Sequence, residues 1–152
     1  WYDIVGMDFR SRADMAGVRE SMAQLDALIA REIERGIAAD HIFLAGFSQG
    51  GAVILSAALA RTAPLAGLIA LSTYLPDAQS ATRVEGAVDV PVFMAHGTGD
   101  PVIPLPVAEH SAQVLRDLGL QPQWHSYPMA HQVCAEEIDA LGDWLQQRLG
   151  VA

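Results

Sequence analysis

The chain has 152 residues, 51% hydrophobic and 18% charged. That balance excludes a disordered polypeptide and suits one ordinary domain, which at this size hides roughly 68–70% of its unfolded surface. Nine Lys and Arg against 18 Asp and Glu give a formal charge of -9, and a surface so negative repels phosphate backbones and anionic headgroups, so nucleic acid is not an expected partner.

No apolar run approaches the ~18 residues that span a bilayer, so no integral membrane segment is expected. The lone Cys134 cannot close an intrachain disulfide, which fits a reducing, cytoplasmic compartment. In chain order, the first helix is predicted over 11–34. Met15, Val18, Met22, Leu25, Ile29 and Ile33 recur at steps of three and four and make one apolar stripe. Ser11 with Asp14 resembles a capping box, and Gly36 is placed to stop the helix. A buried strand follows at 42–45, too uniformly apolar for a half-exposed one, then a helix over 51–61 that is apolar almost all round. Strands at 67–72 and 90–95 read the same way as the first. A helix over 106–118 ends at Gly119. The mixed segment 123–127 reads as an edge strand, and the last helix spans 135–149, with Glu136 and Glu137 favourable to its dipole in the first turn. This alternation predicts an α/β fold with a mostly parallel sheet and helices on both faces, so the chemistry is expected at the carboxyl ends of the strands.

There the first strand runs into Gly46-Phe47-Ser48-Gln49-Gly50, a G-x-S-x-G turn. Glycines two residues either side let strand and helix approach closely around a serine held above the sheet. The N–H of Gln49 is then aimed at an oxyanion near a helix N-terminus. A serine hydroxyl needs a base, itself oriented by an acid. His41 lies at the wrong end of its strand, His110 on a solvated helix face and His125 inside the edge strand. His131, in a loop after the fourth strand, is the expected base. His96 is the rival, with a buried histidine hydrogen-bonded to backbone as its alternative. The expected acid is Asp100, past the third strand and fixed by Pro101. The order Ser48, Asp100, His131 is the order that α/β-hydrolases use.

With Trp1-Tyr2-Asp3-Ile4, Gly46-Phe47-Ser48-Gln49-Gly50-Gly51, Leu71-Ser72-Thr73-Tyr74-Leu75-Pro76, the stretch from His96 to Pro104 and Tyr127-Pro128-Met129-Ala130-His131, the chain resembles the carboxylesterase, lysophospholipase and acyl-protein thioesterase family of α/β-hydrolases, closest to its bacterial carboxylesterases. The resemblance implies a nucleophile at Ser48, an acid at Asp100 and a base at His131, and hydrolysis of carboxylic esters without cofactor or metal. Ala130 and Gln132 depart from the Gly and the acid that usually flank the family's histidine. Family members begin about 60–70 residues earlier, with strands and a loop carrying a second oxyanion donor, so residues 1–152 are expected to be the C-terminal two thirds of one such domain. That would leave the strand at Ile42 with an open edge. Tyr74, Leu75, Val102, Ile103 and Met129 follow strand ends and are expected either to line an acyl pocket or to pack as ordinary core. Cys134 is expected to be a small residue at a helix start, not a second nucleophile. The expected partner is a small-molecule ester, and a homodimer is left open as the assembly. Thioester or lysophospholipid hydrolysis by the same three groups, and a non-catalytic binding protein keeping the hydrolase fold, are the alternatives.

Overall fold

Four short apolar segments lie side by side in the computed structural model, which describes residues 14–151. They are β1 (Phe43–Phe47), β2 (Gly67–Leu71), β3 (Val92–Gly97) and β4 (Pro122–Tyr127), all parallel and in the order of the chain. Parallel neighbours need crossovers, and helices supply two of them. α2 (Gln49–Ala60) joins β1 to β2 and α3 (Leu105–Asp117) joins β3 to β4, while α1 (Met15–Glu34) precedes the sheet and α4 (Ala135–Leu149) follows it.

Alternation along the strands sorts the side chains between two faces. Leu44, Leu68, Ala70, Val92 and Met94 meet Ile54, Leu55 and Ala58 of α2, Ala112 and Leu115 of α3, and Ile29 of α1. Ile69, Phe93 and Ala95 turn the other way, onto Trp144 of α4 with Leu141 and Leu145 beside it. Trp144 lies so close that a Cβ on Gly67 would fall 2.5 Å from its ring. Every residue of β3 is buried, as a central strand covered on both faces must be.

Several boundaries and exposures differ from the sequence reading. α1 starts at Met15, because the Asp14 carboxylate caps it by accepting the N–H groups of Ala16 and Gly17 at 3.2 and 3.1 Å. The expected cap, Ser11, and the segment Trp1-Tyr2-Asp3-Ile4 lie outside the described residues. β3 begins two residues later than expected and takes in His96 and Gly97. β1 is only partly buried: Ala45 and Phe47 are exposed, because among the described residues β2 is its one strand neighbour and α4 covers the middle of the sheet. In α4, Glu136 faces solvent as expected, but Glu137 is fully buried and neither carboxylate oxygen has a hydrogen-bond partner.

Candidate active site

Ser48 stands between β1 and α2 in a conformation L residues rarely take, φ 53 and ψ -118. Its N–H donates to the Leu71 carbonyl at 2.9 Å, which ties the turn to the end of β2. The turn is as tight as the motif predicts. A Cβ on Gly46 would lie 2.4 Å from the carbonyl carbon of Gly50, whereas one on Gly50 itself would meet nothing within 4 Å. The steric need for glycine therefore falls on Gly46, not equally on both. Gln49 opens α2, so its N–H belongs to the positive end of that helix.

His131 reaches Ser48 from the loop after β4. That loop rests on the end of β3: Thr98 N–H donates to the Tyr127 carbonyl at 2.8 Å and Gly99 N–H to the Met129 carbonyl at 3.1 Å. With Ala130 in place of the usual glycine, His131 still sets Nε2 3.0 Å from Ser48 Oγ. Its Nδ1 lies 2.7 Å from Asp100 Oδ2. A carboxylate there can only accept, so Nδ1 carries the hydrogen and Nε2 is left to accept from the serine hydroxyl. The Phe47 ring packs against the imidazole at 4.8 Å between centroids.

Asp100 is buried, and its other oxygen, Oδ1, accepts the N–H groups of Val102 at 2.8 Å and Ile103 at 2.9 Å. Desolvation pushes its carboxyl up, but the His131 hydrogen bond, the two backbone N–H groups and the His131 charge together outweigh it and hold the group below its ordinary value. His96 is the fully buried, backbone-bonded histidine of the alternative reading: Nε2 lies 2.9 Å from the Ile103 carbonyl and 3.4 Å from Asp100 Oδ2. His41 pairs with Asp40 on the surface, His110 is exposed, and His125 stacks on Phe93.

The five residues expected after the strand ends separate. Leu75 belongs to the core between the sheet and its helices, and Tyr74 packs against Val18 and Val53. Ile103 and Met129 are buried, and Val102 is half exposed. Val102 and Ile103 serve Asp100 through their backbone, a role that a position after a strand cannot reveal. None of the five lines a cavity of about 300 Å³ between α1 and α2, bounded by Met22, Ile29, Ile33, Ala57 and Arg61. Two side chains to which the sequence reading gave no role, Ser72 and Thr73, bond to the carbonyls of Gln132 and Ser48. Among the described residues no three His, Cys, Asp or Glu side chains gather into a metal-binding group, and no helix is long and apolar enough to cross a membrane.

A parallel sheet between helices, with a serine on the tight turn after one strand and an acid and a histidine on loops after two others, defines the α/β-hydrolase fold. The chain belongs to the phospholipase/carboxylesterase family, which it matches over residues 1–149. It is 40% identical to a Neurospora crassa protein named acyl-protein thioesterase 1, over 98% of this chain and 65% of the relative, and 36% identical to a Gibberella zeae protein of the same name, over 98% and 68%. It thus spans about two thirds of the length of these curated relatives. Among solved structures it superposes on Arabidopsis thaliana SOBER1 with a TM-score of 0.87 at 26% identity, covering 98% of this chain and 73% of that one. The esterase PE8 gives 0.84 at 26% identity, over 96% and 67%.

Proposed function

We propose that the protein is a serine hydrolase that cleaves carboxylic esters through an acyl-enzyme intermediate. The observation that carries this reading is the unbroken chain from Ser48 Oγ through His131 to Asp100, at 3.0 and 2.7 Å. In this scheme Ser48 gives its proton to His131 Nε2 as Oγ bonds to the ester carbonyl carbon. Asp100 holds the imidazole and stabilises its cationic form. The Gln49 N–H receives the developing oxyanion at the α2 N-terminus. Collapse of the tetrahedral intermediate breaks the bond to the alcohol, which takes the proton back from His131. A water, deprotonated by His131, then attacks the acyl group on Ser48, and the carboxylic acid leaves. The scheme calls for no cofactor.

Thioester cleavage by the same steps, with a thiolate leaving in place of an alkoxide, is the second reading. The names of the Neurospora and Gibberella relatives favour it. Labelling of the natural full-length protein by a fluorophosphonate, lost in Ser48→Ala, tests the hydrolase. A folded sample that takes no label refutes it and favours a binding protein. Specificity constants for a p-nitrophenyl ester series against an acyl thioester then separate the two leaving groups.

A further inference from the structure

We infer that Ser72 and Thr73 form a positioning clasp, two adjacent hydroxyls that hold the nucleophile and the base in register; this rests on the roles proposed above for Ser48 and His131. The two residues leave the end of β2 side by side, and both side chains are fully buried. Thr73 Oγ1 donates to the backbone carbonyl of Ser48 at 2.6 Å. Ser48 N–H already donates to the Leu71 carbonyl at 2.9 Å, and the Ser48 carbonyl accepts the Ala52 N–H of α2 at 3.2 Å besides the shorter Thr73 bond, so both the N–H and the carbonyl of the nucleophile reach residues 71–73. Ser72 Oγ donates in turn to the carbonyl of Gln132, the residue next to His131, at 3.3 Å. Ser48 and His131 are 83 positions apart in the chain, yet each is tied, directly or through its neighbour, to one dipeptide.

Two further features point the same way. Ser72 has φ 45, a left-handed conformation that a serine keeps only where its surroundings over-determine it and that clusters at functional sites. Gly51, the second glycine of the Gly50-Gly51 pair, is where α2 meets Thr73: a Cβ there would lie 2.6 Å from Thr73 Cβ, Cγ2 and Oγ1. The first turn of α2 is bare at this point, and that lets the Thr73 hydroxyl reach the Ser48 carbonyl. A hydroxyl that packs only for the fold has no need to end on the nucleophile's own peptide.

The test is the pre-steady-state burst of p-nitrophenol from p-nitrophenyl acetate, measured in the natural full-length protein. Saturating fluorophosphonate labelling counts competent sites, and burst rate reports acylation. Thr73→Val keeps the shape against Gly51 and removes the donor, whereas Thr73→Ser keeps the donor. Thr73→Val and Ser72→Ala are expected to label fully at saturation while the burst rate falls about 10- to 100-fold, the scale on which small displacements of reacting groups act. The substrate dissociation constant, read from the concentration dependence of the burst rate, should stay within about twofold, and Thr73→Ser within about threefold of the parent rate. A Thr73→Val or Ser72→Ala rate equal to the parent's overturns the clasp, as does a loss carried wholly by the number of labelled sites, which is what a merely structural role gives. If Thr73→Val does not fold, Ser72→Ala alone decides by the same criteria. Ser48→Ala must show no burst. A folded parent that takes no fluorophosphonate label overturns the hydrolase reading first, and the clasp with it; where the parent labels without a burst, acylation limits turnover and kcat/KM is compared in place of the burst rate.

Discussion

Replacing Asp100 by Asn separates orientation from charge at nearly constant shape. Oδ1 accepts two backbone N–H groups, from Val102 and Ile103, so the amide oxygen must take that place and the NH₂ must face His131 Nδ1. Two donors then oppose each other at the 2.7 Å contact. The imidazole escapes only by moving its hydrogen to Nε2, where it donates to Ser48 Oγ instead of accepting from it. A wrong tautomer of this kind lowers turnover by about 10⁴-fold, or about 5.5 kcal/mol of barrier. The assay is kcat on a p-nitrophenyl ester, with the thermal midpoint as control. The midpoint at pH 7 should fall only modestly: the amide oxygen still satisfies both N–H groups, but the stabilisation carried by the ionised carboxylate is lost. At acid pH the stabilities of the two proteins converge. The Asp100 carboxyl is held below its ordinary value of 3.8, so the folded state binds fewer protons than the unfolded one just below that pH. Its contribution to stability is full above 3.8 and is lost as pH falls through the lowered value, and Asp100→Asn should lack this component of acid destabilisation. A variant that retained kcat within about tenfold of the parent would refute the assignment of Asp100 as the orienting acid.

Gly46→Ala drives a methyl to within 2.4 Å of the Gly50 backbone, so about 1–3 kcal/mol of stability should go, read by denaturant midpoint, with ester turnover falling further as the turn opens. Trp144 fills the space between Phe43 and Phe93 and overlies Gly67; Trp144→Ala should cost about 3–5 kcal/mol, seen as a large drop in the thermal midpoint. Burial pushes the Glu137 carboxyl up, against a smaller opposing pull from the Cys134 backbone. The folded state therefore holds more protons than the unfolded one above the ordinary value of 4.5, and the stabilisation present below that pH is lost as pH rises through the raised value. Glu137→Gln should match the parent's thermal midpoint near pH 4 and exceed it by a few degrees, about 1 kcal/mol, at pH 8.

The elements were legible in the sequence because each keeps its own period, and the positions of Ser48, Asp100 and His131 were legible because all three follow strand ends. What the letters withheld depends on neighbours. The uniformly apolar run at 42–45 reads as buried, yet Ala45 is exposed, since a strand's burial is decided by what lies over and beside it. Leu75 and Val102 both follow strand ends, but one packs into the core and the other turns to solvent while its backbone serves Asp100. Ser72 and Thr73 stand in a segment that carries the family resemblance, but nothing local says what their hydroxyls bind. Their partners, Ser48 and Gln132, come from distant parts of the chain.

The sheet register explains why one rim gathers so many of these groups. Phe47 pairs with Leu71 and Leu71 with Ala95, so the next row across the sheet is Ser48, Ser72 and His96, with His96 in turn beside Ser126. In a parallel sheet that row is a set of carboxyl ends, and the chain must leave each of them by a turn. Buried polar side chains are costly unless bonded, and here they meet the peptide groups of those turns. Ser72 takes the Gln132 carbonyl, Thr73 the Ser48 carbonyl and His96 the Ile103 carbonyl. The first two bonds tie one departing segment to another and the third fastens the loop after β3 to its own strand end, so the Ser48 turn, the Asp100 loop and the His131 loop are braced through the strand ends. An antiparallel sheet would send alternate segments off opposite rims and break this bracing, which is why the geometry of Ser48, Asp100 and His131 follows from the parallel order as much as from the three residues themselves.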